Sequence, residues 1–394
     1  MSNKTLISLF SGCGGSDLGF IDEGFRILSA YDCDENVVET YKRNIGDHII
    51  NLDLSTENLP QSPSSNVDVV FSGSPCQGFS TAGKRKISDP RNSLLISAGK
   101  IALKIRPKVF IAENVPGVIA GEHKKYWSEL ENLMLSNGYK VESILCDASQ
   151  MGLAQMRKRM IMLAWRTRKD PSLDIPKKPP LVLTDVLNKL DGINNHSPIF
   201  FKKNSDVAQI AKSIKAGQKL CNVRAGERSV PTWTIPEVFG KITKDEVLVL
   251  ETLRSLRRKL RIRDYGDADP VTARALGKYT NVNVSRILQA LIKKGYVCKK
   301  GNAYDLKHTY NGLYRRLELN SQSYTVDTRF GNPRFFLHPV EDRGFTVREA
   351  ARIQGFSDDY IFQGTEAEKF RMVGNAFPPP MSRCIANIVK GRLL

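Results

Sequence analysis

Residue types capable of chemistry are grouped in four short stretches and two single aspartates of the first 160 residues. Phe10-Ser11-Gly12-Cys13-Gly14-Gly15 directly follows an apolar run, Thr5–Leu9. Glycines there let backbone approach a ligand, and the N-terminus of a following helix favours polar or anionic groups. Asp32 ends a second apolar run, where it could accept hydrogen bonds from a ribose; Asp53 could accept one from an adenine amine. Together they describe a site for an adenosine-containing cofactor, although either aspartate alone is equally a helix cap or turn residue. Ser74-Pro75-Cys76-Gln77-Gly78-Phe79-Ser80 follows a third strand-like run, with Lys84, Arg85 and Lys86 close in sequence. A cysteine in such a turn can act as a nucleophile when nearby positive charge lowers its pKa. Glu113-Asn114-Val115 ends a fourth run, and Gln155-Met156-Arg157-Lys158-Arg159 offers two guanidinium groups before a fifth.

These groups can meet only if the strands deliver their C-terminal ends to one edge. Buried runs alternating with helical spacings such as 91–106 and 124–139 predict an α/β fold: a mostly parallel sheet with helices on both faces. The proline- and charge-rich stretch 166–180 marks an exit from that domain. Residues 181–240 show no clear periodicity. In 241–306, Thr243 and Glu246 form a capping-box pattern before a helix rich in arginine. Asp269-Pro270 is expected to open a second helix, and Val284–Lys294 a third. A hairpin is expected to turn at Lys300-Gly301-Asn302. Helices followed by a basic hairpin describe a winged helix-turn-helix, or alternatively a small helical insertion without DNA contact.

The chain has 394 residues and a net charge of +18. Residues 1–160 carry 18 Lys and Arg against 18 Asp and Glu, whereas residues 201–310 carry 23 against 10. One module therefore faces a polyanion, unless it is only a solvated basic surface. Composition excludes a fibrous or largely disordered chain, and no apolar run is long enough to span a membrane. The start lacks a signal-peptide plan, so a cytosolic or nuclear protein is expected. Seven cysteines in no CxxC pair make a zinc site or disulfide framework unexpected, and no metal is assigned.

The ordered stretches FSGCGG, the acid after the second strand, SPCQGFS, ENV and QMRKR, with FTVREAARIQGF (345–356) and GNAFPPP (374–380), resemble the DNA cytosine-5 methyltransferases. The resemblance covers roughly 1–165 and 310–394. It implies a Rossmann-like catalytic domain at 1–165, a target-recognition region at 166–340 containing the 241–306 module, and a return at 341–394 that completes the catalytic domain. It implies S-adenosylmethionine as cofactor, held by Phe10, Gly12, Cys13, Gly15, Asp32, Cys33, Asp53, Leu54 and Asn375. Two of these depart from the family pattern: Asp32 stands for the commoner Glu, and Cys33 for a larger side chain stacking on adenine. Cys76 would attack carbon 6 of a flipped-out cytosine and Glu113 would act at nitrogen 3. Arg159 would support the base and Arg157 would order the site. Gln77, Ser80, Arg286, Gln289, Lys293 and Thr325 are the DNA-binding candidates, Thr325-Val326 matching a family pair at the DNA interface. Double-stranded DNA is the expected partner, with a companion restriction endonuclease and a monomeric enzyme. The alternatives are RNA cytosine methylation, or a transcriptional regulator acting through the winged module.

Overall fold

The computed structural model describes residues 4–59, 66–75, 89–169 and 172–394. It divides into two compact units. One holds Met1–Ser197, Asn320–Gly331 and Thr346–Leu394; the other holds Pro198–Leu319 and Asn332–Phe345.

The first unit begins as β1 (Thr5–Leu9), α1 (Gly15–Asp22), β2 (Arg26–Asp32), α2 (Glu35–Asn44), β3 (Ile49–Asn51) and β4 (Val69–Ser72). It continues through α3 (Leu94–Ile105), β5 (Val109–Asn114), α4 (Lys124–Ser136), β6 (Lys140–Asp147), β7 (Gln155–Met156), β8 (Lys158–Trp165) and α5 (Leu183–Val186). Seven strands form one sheet in the order β3-β2-β1-β4-β5-β8-β6. β1 to β5 pair in parallel, while β8 runs antiparallel to both β5 and β6. Residues of one strand alternate between two cores, as the pleat dictates. Val69 and Phe71 of β4 join Phe20, Phe25 and the C-terminal helix residues Met381 and Ile385 on one face. Val70 joins Leu95, Ala98, Trp127 and Leu130 of α3 and α4 on the other. Burial on both faces explains why these strands read as continuous apolar runs.

The sheet domain does not end at residue 165. Leu173 is buried in its core, Trp165 Nε1 donates to the Lys169 carbonyl, and Thr167 Oγ1 donates to the Leu393 carbonyl. These contacts hold the 166–197 stretch on the first unit, so the expected boundary at 166 moves to 197/198. Likewise 320–331 belongs to the first unit rather than to the region between.

The second unit contains α6 (Asp206–Ser213), β9 (Lys219–Cys221), β10 (Ser229–Val230), α7 (Pro236–Phe239), α8 (Lys244–Lys259), β11 (Val271–Thr272), α9 (Ala273–Gly277) and α10 (Val284–Lys293). After them come β12 (Val297–Lys300), β13 (Ala303–Leu306), β14 (Asn311–Leu313) and β15 (Arg315–Arg316). The stretch 181–240, unreadable in sequence, therefore carries short elements, with β10-β9-β14 forming a small sheet. The Thr243–Glu246 capping box forms as expected. The expected helix at Asp269-Pro270 does not. Asp269 instead accepts the backbone N–H groups of Ile262 and Arg263, Val271-Thr272 pairs with β13, and Thr272 caps a helix starting at Ala273. The module thus runs helix, strand, helix, helix and hairpin, its sheet ordered β11-β13-β12 around Leu250, Leu253, Leu276, Leu288 and Leu291.

β16 (Ser323–Tyr324) pairs with β7, and β17 (Phe336–Leu337) pairs with β15. The chain ends through α11 (Val347–Ile353), α12 (Glu366–Asn375) and α13 (Pro379–Ile388), the first two opened by Thr–Glu capping boxes. Among the described residues no helix is long and apolar enough to cross a membrane.

Candidate active site

The turn after β1 is built to approach a ligand. Phe10 and Gly12 adopt left-handed backbone, φ 53° and 55°, and nothing lies within 4 Å of where a Cβ on Gly12 would stand. Asp32, at the end of β2, fixes this turn: Oδ2 accepts the Gly12 N–H at 2.9 Å and Oδ1 the Asp34 N–H at 3.1 Å. Burial nevertheless pushes the Asp32 carboxyl above the usual range. Cys33 is exposed beside it. Asp53 is exposed after β3 and accepts the Ser55 N–H at 2.9 Å, which holds its carboxyl below the usual range. Leu54 is buried. Two carboxylates at the ends of neighbouring strands, with open space beside Gly12, suit the hydroxyl and amine donors of an adenosyl group. Cys13 is buried, and burial pushes its thiol up to about 12, so it serves packing rather than nucleophilic chemistry.

The C-terminal return closes onto this turn. Cys13 Sγ lies 3.8 Å from the Met372 carbonyl. A Cβ on Gly15 would fall 2.4 Å from the Phe377 carbonyl oxygen. Asn375, exposed at the end of α12, is thereby carried by the same segment.

Beneath the turn lies a group that sequence reasoning missed. The buried Asp17 carboxyl accepts Ser8 Oγ at 2.7 Å, Ser16 Oγ at 2.9 Å and Tyr41 Oη at 2.6 Å. Its position inside a glycine-rich helix start gave no signal of these hydroxyls, which come from three elements.

The second half of the site lies at the ends of β4 and β5. Ser74 and Pro75 lead from β4 towards Cys76, which lies outside the described residues together with Gln77 and Ser80. Buried Asn114 donates from Nδ2 to the Ser74 carbonyl at 3.3 Å and accepts the Val115 N–H at 2.9 Å, so β5 anchors the start of the cysteine turn. Glu113 Oε1 lies 2.7 Å from Arg159 Nε, both side chains close to nine-tenths shielded. Burial raises the Glu113 carboxyl above its ordinary range, and Arg159 and Arg157 oppose but do not cancel that rise. A carboxyl whose pKa is raised by burial is the kind of group that can act as a general acid.

The QMRKR stretch divides its labour. Arg159 turns to Glu113. Arg157 is fully buried and donates to the carbonyls of Val326 at 2.8 Å, Gly374 at 3.2 Å and Ala376 at 2.8 Å. Gln155 Nε2 donates to Gln354 Oε1 at 2.6 Å, and Gln155 Oε1 accepts the Val326 N–H at 3.2 Å. Thr325 Oγ1 donates to the Met156 carbonyl at 2.7 Å. Gln155 and Gln354 were legible as motif residues, but not as partners 199 positions apart.

In the second unit, Ser285, Arg286, Gln289 and Lys293 are exposed on α10. Lys294 turns away from that set, its Nζ 2.8 Å from Glu246.

The family model described as C-5 cytosine-specific DNA methylase matches residues 4–391. Among curated proteins, the type II methyltransferase M.NgoFVII of Neisseria gonorrhoeae is 29% identical over 380 residues, covering 96% of this chain and 84% of its own. M.AgeI of Thalassovita gelatinovora, also a type II methyltransferase, is 28% identical, with 98% of each chain covered. Among solved structures, one described as a prophage-encoded DNA modification methyltransferase (E. coli) superposes with a TM-score of 0.62 at 23% identity, over 99% of each chain. The Entamoeba histolytica methyltransferase EhMeth gives 0.54 at 16% identity, over 98% of each chain. The match over nearly the whole length, with the strand-end geometry above, places this chain in the C-5 cytosine-specific DNA methylase family.

Proposed function

We propose that this enzyme modifies one cytosine within a short duplex sequence as the methylating partner of a type II restriction system, working as a cytoplasmic monomer. The transfer itself, to carbon 5 of cytosine in DNA with S-adenosylmethionine as cofactor, follows from family membership. The companion nuclease is suggested by the type II relatives.

The observation that carries the residue assignment is the shielded Glu113–Arg159 pair at the strand edge from which Pro75 leads to Cys76. Carbon 5 of cytosine is too poor a nucleophile unaided. Cys76 thiolate forms a bond to carbon 6, and Glu113 gives its proton to nitrogen 3, so the ring becomes an enamine nucleophilic at carbon 5. Arg159 holds the ring carbonyl oxygen and stays charged throughout. Bound S-adenosylmethionine supplies an electrophilic methyl group. Phe10, Gly12, Cys13, Gly15, Asp32, Cys33, Asp53, Leu54 and Asn375 would hold it: the two aspartates its hydroxyl and amine donors, the glycine turn its polar end. Loss of the carbon 5 proton to water, return of the nitrogen 3 proton to Glu113 and expulsion of Cys76 as thiolate restore the aromatic ring. The base must leave the duplex to reach these groups, at a cost of a few kcal/mol that phosphate contacts offset.

Reading of the sequence falls to the second unit. Arg286 and Gln289 on α10 can address base edges and Lys293 suits the phosphate backbone, while Thr325 and, close to Cys76 in sequence, Gln77 and Ser80 are the DNA-binding candidates of the first unit.

Conversion sequencing of DNA from cells expressing the wild-type chain or Cys76→Ser tests this reading. Protected cytosines in one short motif, lost in the variant, are expected. Protection of transfer RNA instead of DNA would transfer the assignment to RNA, and unprotected nucleic acid of both kinds would end it.

A further inference from the structure

Ile262, on the loop between α8 and β11, is 93% exposed, the most exposed of the described large hydrophobic residues. It stands between Arg261 and Arg263, in a module where residues 241–306 carry 15 Lys and Arg against 7 Asp and Glu. The loop is braced. Asp269 accepts the Ile262 N–H at 2.7 Å and the Arg263 N–H at 3.1 Å, and its other oxygen pairs with the Arg263 guanidinium. That guanidinium lies 5.0 Å over the ring of Tyr265, which is 66% exposed. Asp267 is matched by Arg224 at 2.9 Å and Arg258 at 3.3 Å; Asp264 is the remaining acid of the loop. The brace holds Ile262 and its flanking arginines on one short loop, so an apolar tip and positive charge are presented together.

The loop also begins in an informative place. Lys259 Nζ, at the end of α8, lies 5.4 Å from the ring centre of Tyr279, in the turn between α9 and α10. That turn leads into the N-terminus of α10, the end that enters the major groove in helix-turn-helix proteins. Across one phosphate backbone from a major groove lies a minor groove. An apolar tip flanked by arginines is the chemistry that enters it: the apolar side chain parts two base pairs and the guanidinium follows the negative groove.

We propose that Arg261-Ile262-Arg263 is a minor-groove wedge, with Ile262 entering between base pairs of duplex DNA beside the groove read by α10 and Arg261 lining the groove. This rests on the reading of α10 as the helix that addresses DNA. The wedge bends the duplex, and it adds affinity without changing which sequence is methylated.

The test uses the full chain on a doubly end-labelled duplex of roughly 30 base pairs containing the methylated sequence, with bending read by energy transfer and affinity by titration. The wild type is expected to bend it by roughly 20–90°. Ile262→Ser, at an exposed position and with an unchanged melting temperature, is expected to straighten the duplex and to bind about tenfold more weakly while methylating the same sequence. A straight duplex with the wild type, or full bending and affinity with Ile262→Ser, overturns the wedge. Arg286→Ala/Gln289→Ala separates the two readings. If it leaves sequence choice intact while Ile262→Ser still straightens the DNA, the assignment of α10 fails and the wedge stands.

Discussion

Arg159 Nε lies 2.7 Å from Glu113 Oε1, yet burial still leaves the Glu113 carboxyl raised above its usual range. Burial thus favours the protonated form of Glu113 while the guanidinium beside it opposes that rise. Glu113→Gln is expected to cut the methylation rate by about 10²–10⁴-fold with DNA binding retained. The sign of the pH dependence follows: the proton is present below the raised pKa, so single-turnover rate falls as pH rises through it. Loss of Arg159 removes the opposing charge, so Arg159→Gln is expected to move that alkaline limb upwards. A flat pH profile for the wild type over the carboxyl-to-neutral range would count against Glu113 as the acid.

Arg157 ties three distant carbonyls together with one buried guanidinium. Arg157→Met keeps much of the volume but strands those carbonyls, at a cost of about 3–5 kcal/mol. Urea unfolding of the two proteins measures it. The variant is also expected to weaken cofactor binding, because Gly374 and Ala376 flank Asn375.

Gly374 admits no side chain. A Cβ there would stand 2.4 Å from the Asp327 carbonyl carbon and 2.5 Å from the Thr328 nitrogen, both backbone. Gly374→Ala is expected to destabilise by about 1–3 kcal/mol. By shifting the segment around Asn375, it should also raise the dissociation constant for S-adenosylmethionine in calorimetry.

Asp305 joins the hairpin of the second unit to α8 through Arg257, both side chains buried, and accepts Lys300 Nζ at 3.0 Å. Burial alone would push this carboxyl up, but Lys300 and Arg257 hold it below its ordinary value of 3.8. The stability it adds is complete above that value and is lost as pH falls through the lower folded-state pKa. Asp305→Ala leaves Arg257 buried without its carboxylate and is expected to cost about 3–5 kcal/mol. Thermal unfolding should show the loss at neutral pH and a difference that shrinks as the carboxyl is protonated in acid.

The sequence by itself determined the parts that depend on neighbours in the chain. Period and burial set the strands and helices of the sheet domain, because a strand covered on both faces must be apolar throughout. Turn chemistry marked the glycine loop, and short motifs marked Asp32, Glu113 and Arg159. The Thr243–Glu246 box was legible because both partners lie within one helical turn. Tertiary structure decided what depends on residues far apart. Asp269 looked like a helix cap, but a strand partner at Ala303–Tyr304 claimed Val271-Thr272, and the aspartate braced a loop instead. Arg157 and Arg159 sit two residues apart on one motif. Only the packing of Val326, Gly374 and Ala376 around the first, and of Glu113 against the second, separates a guanidinium that ties backbone carbonyls together from one that pairs with a carboxylate. Asp17 shows the same limit: its three hydroxyl donors come from β1, α1 and α2, and no local pattern encodes a meeting of three elements.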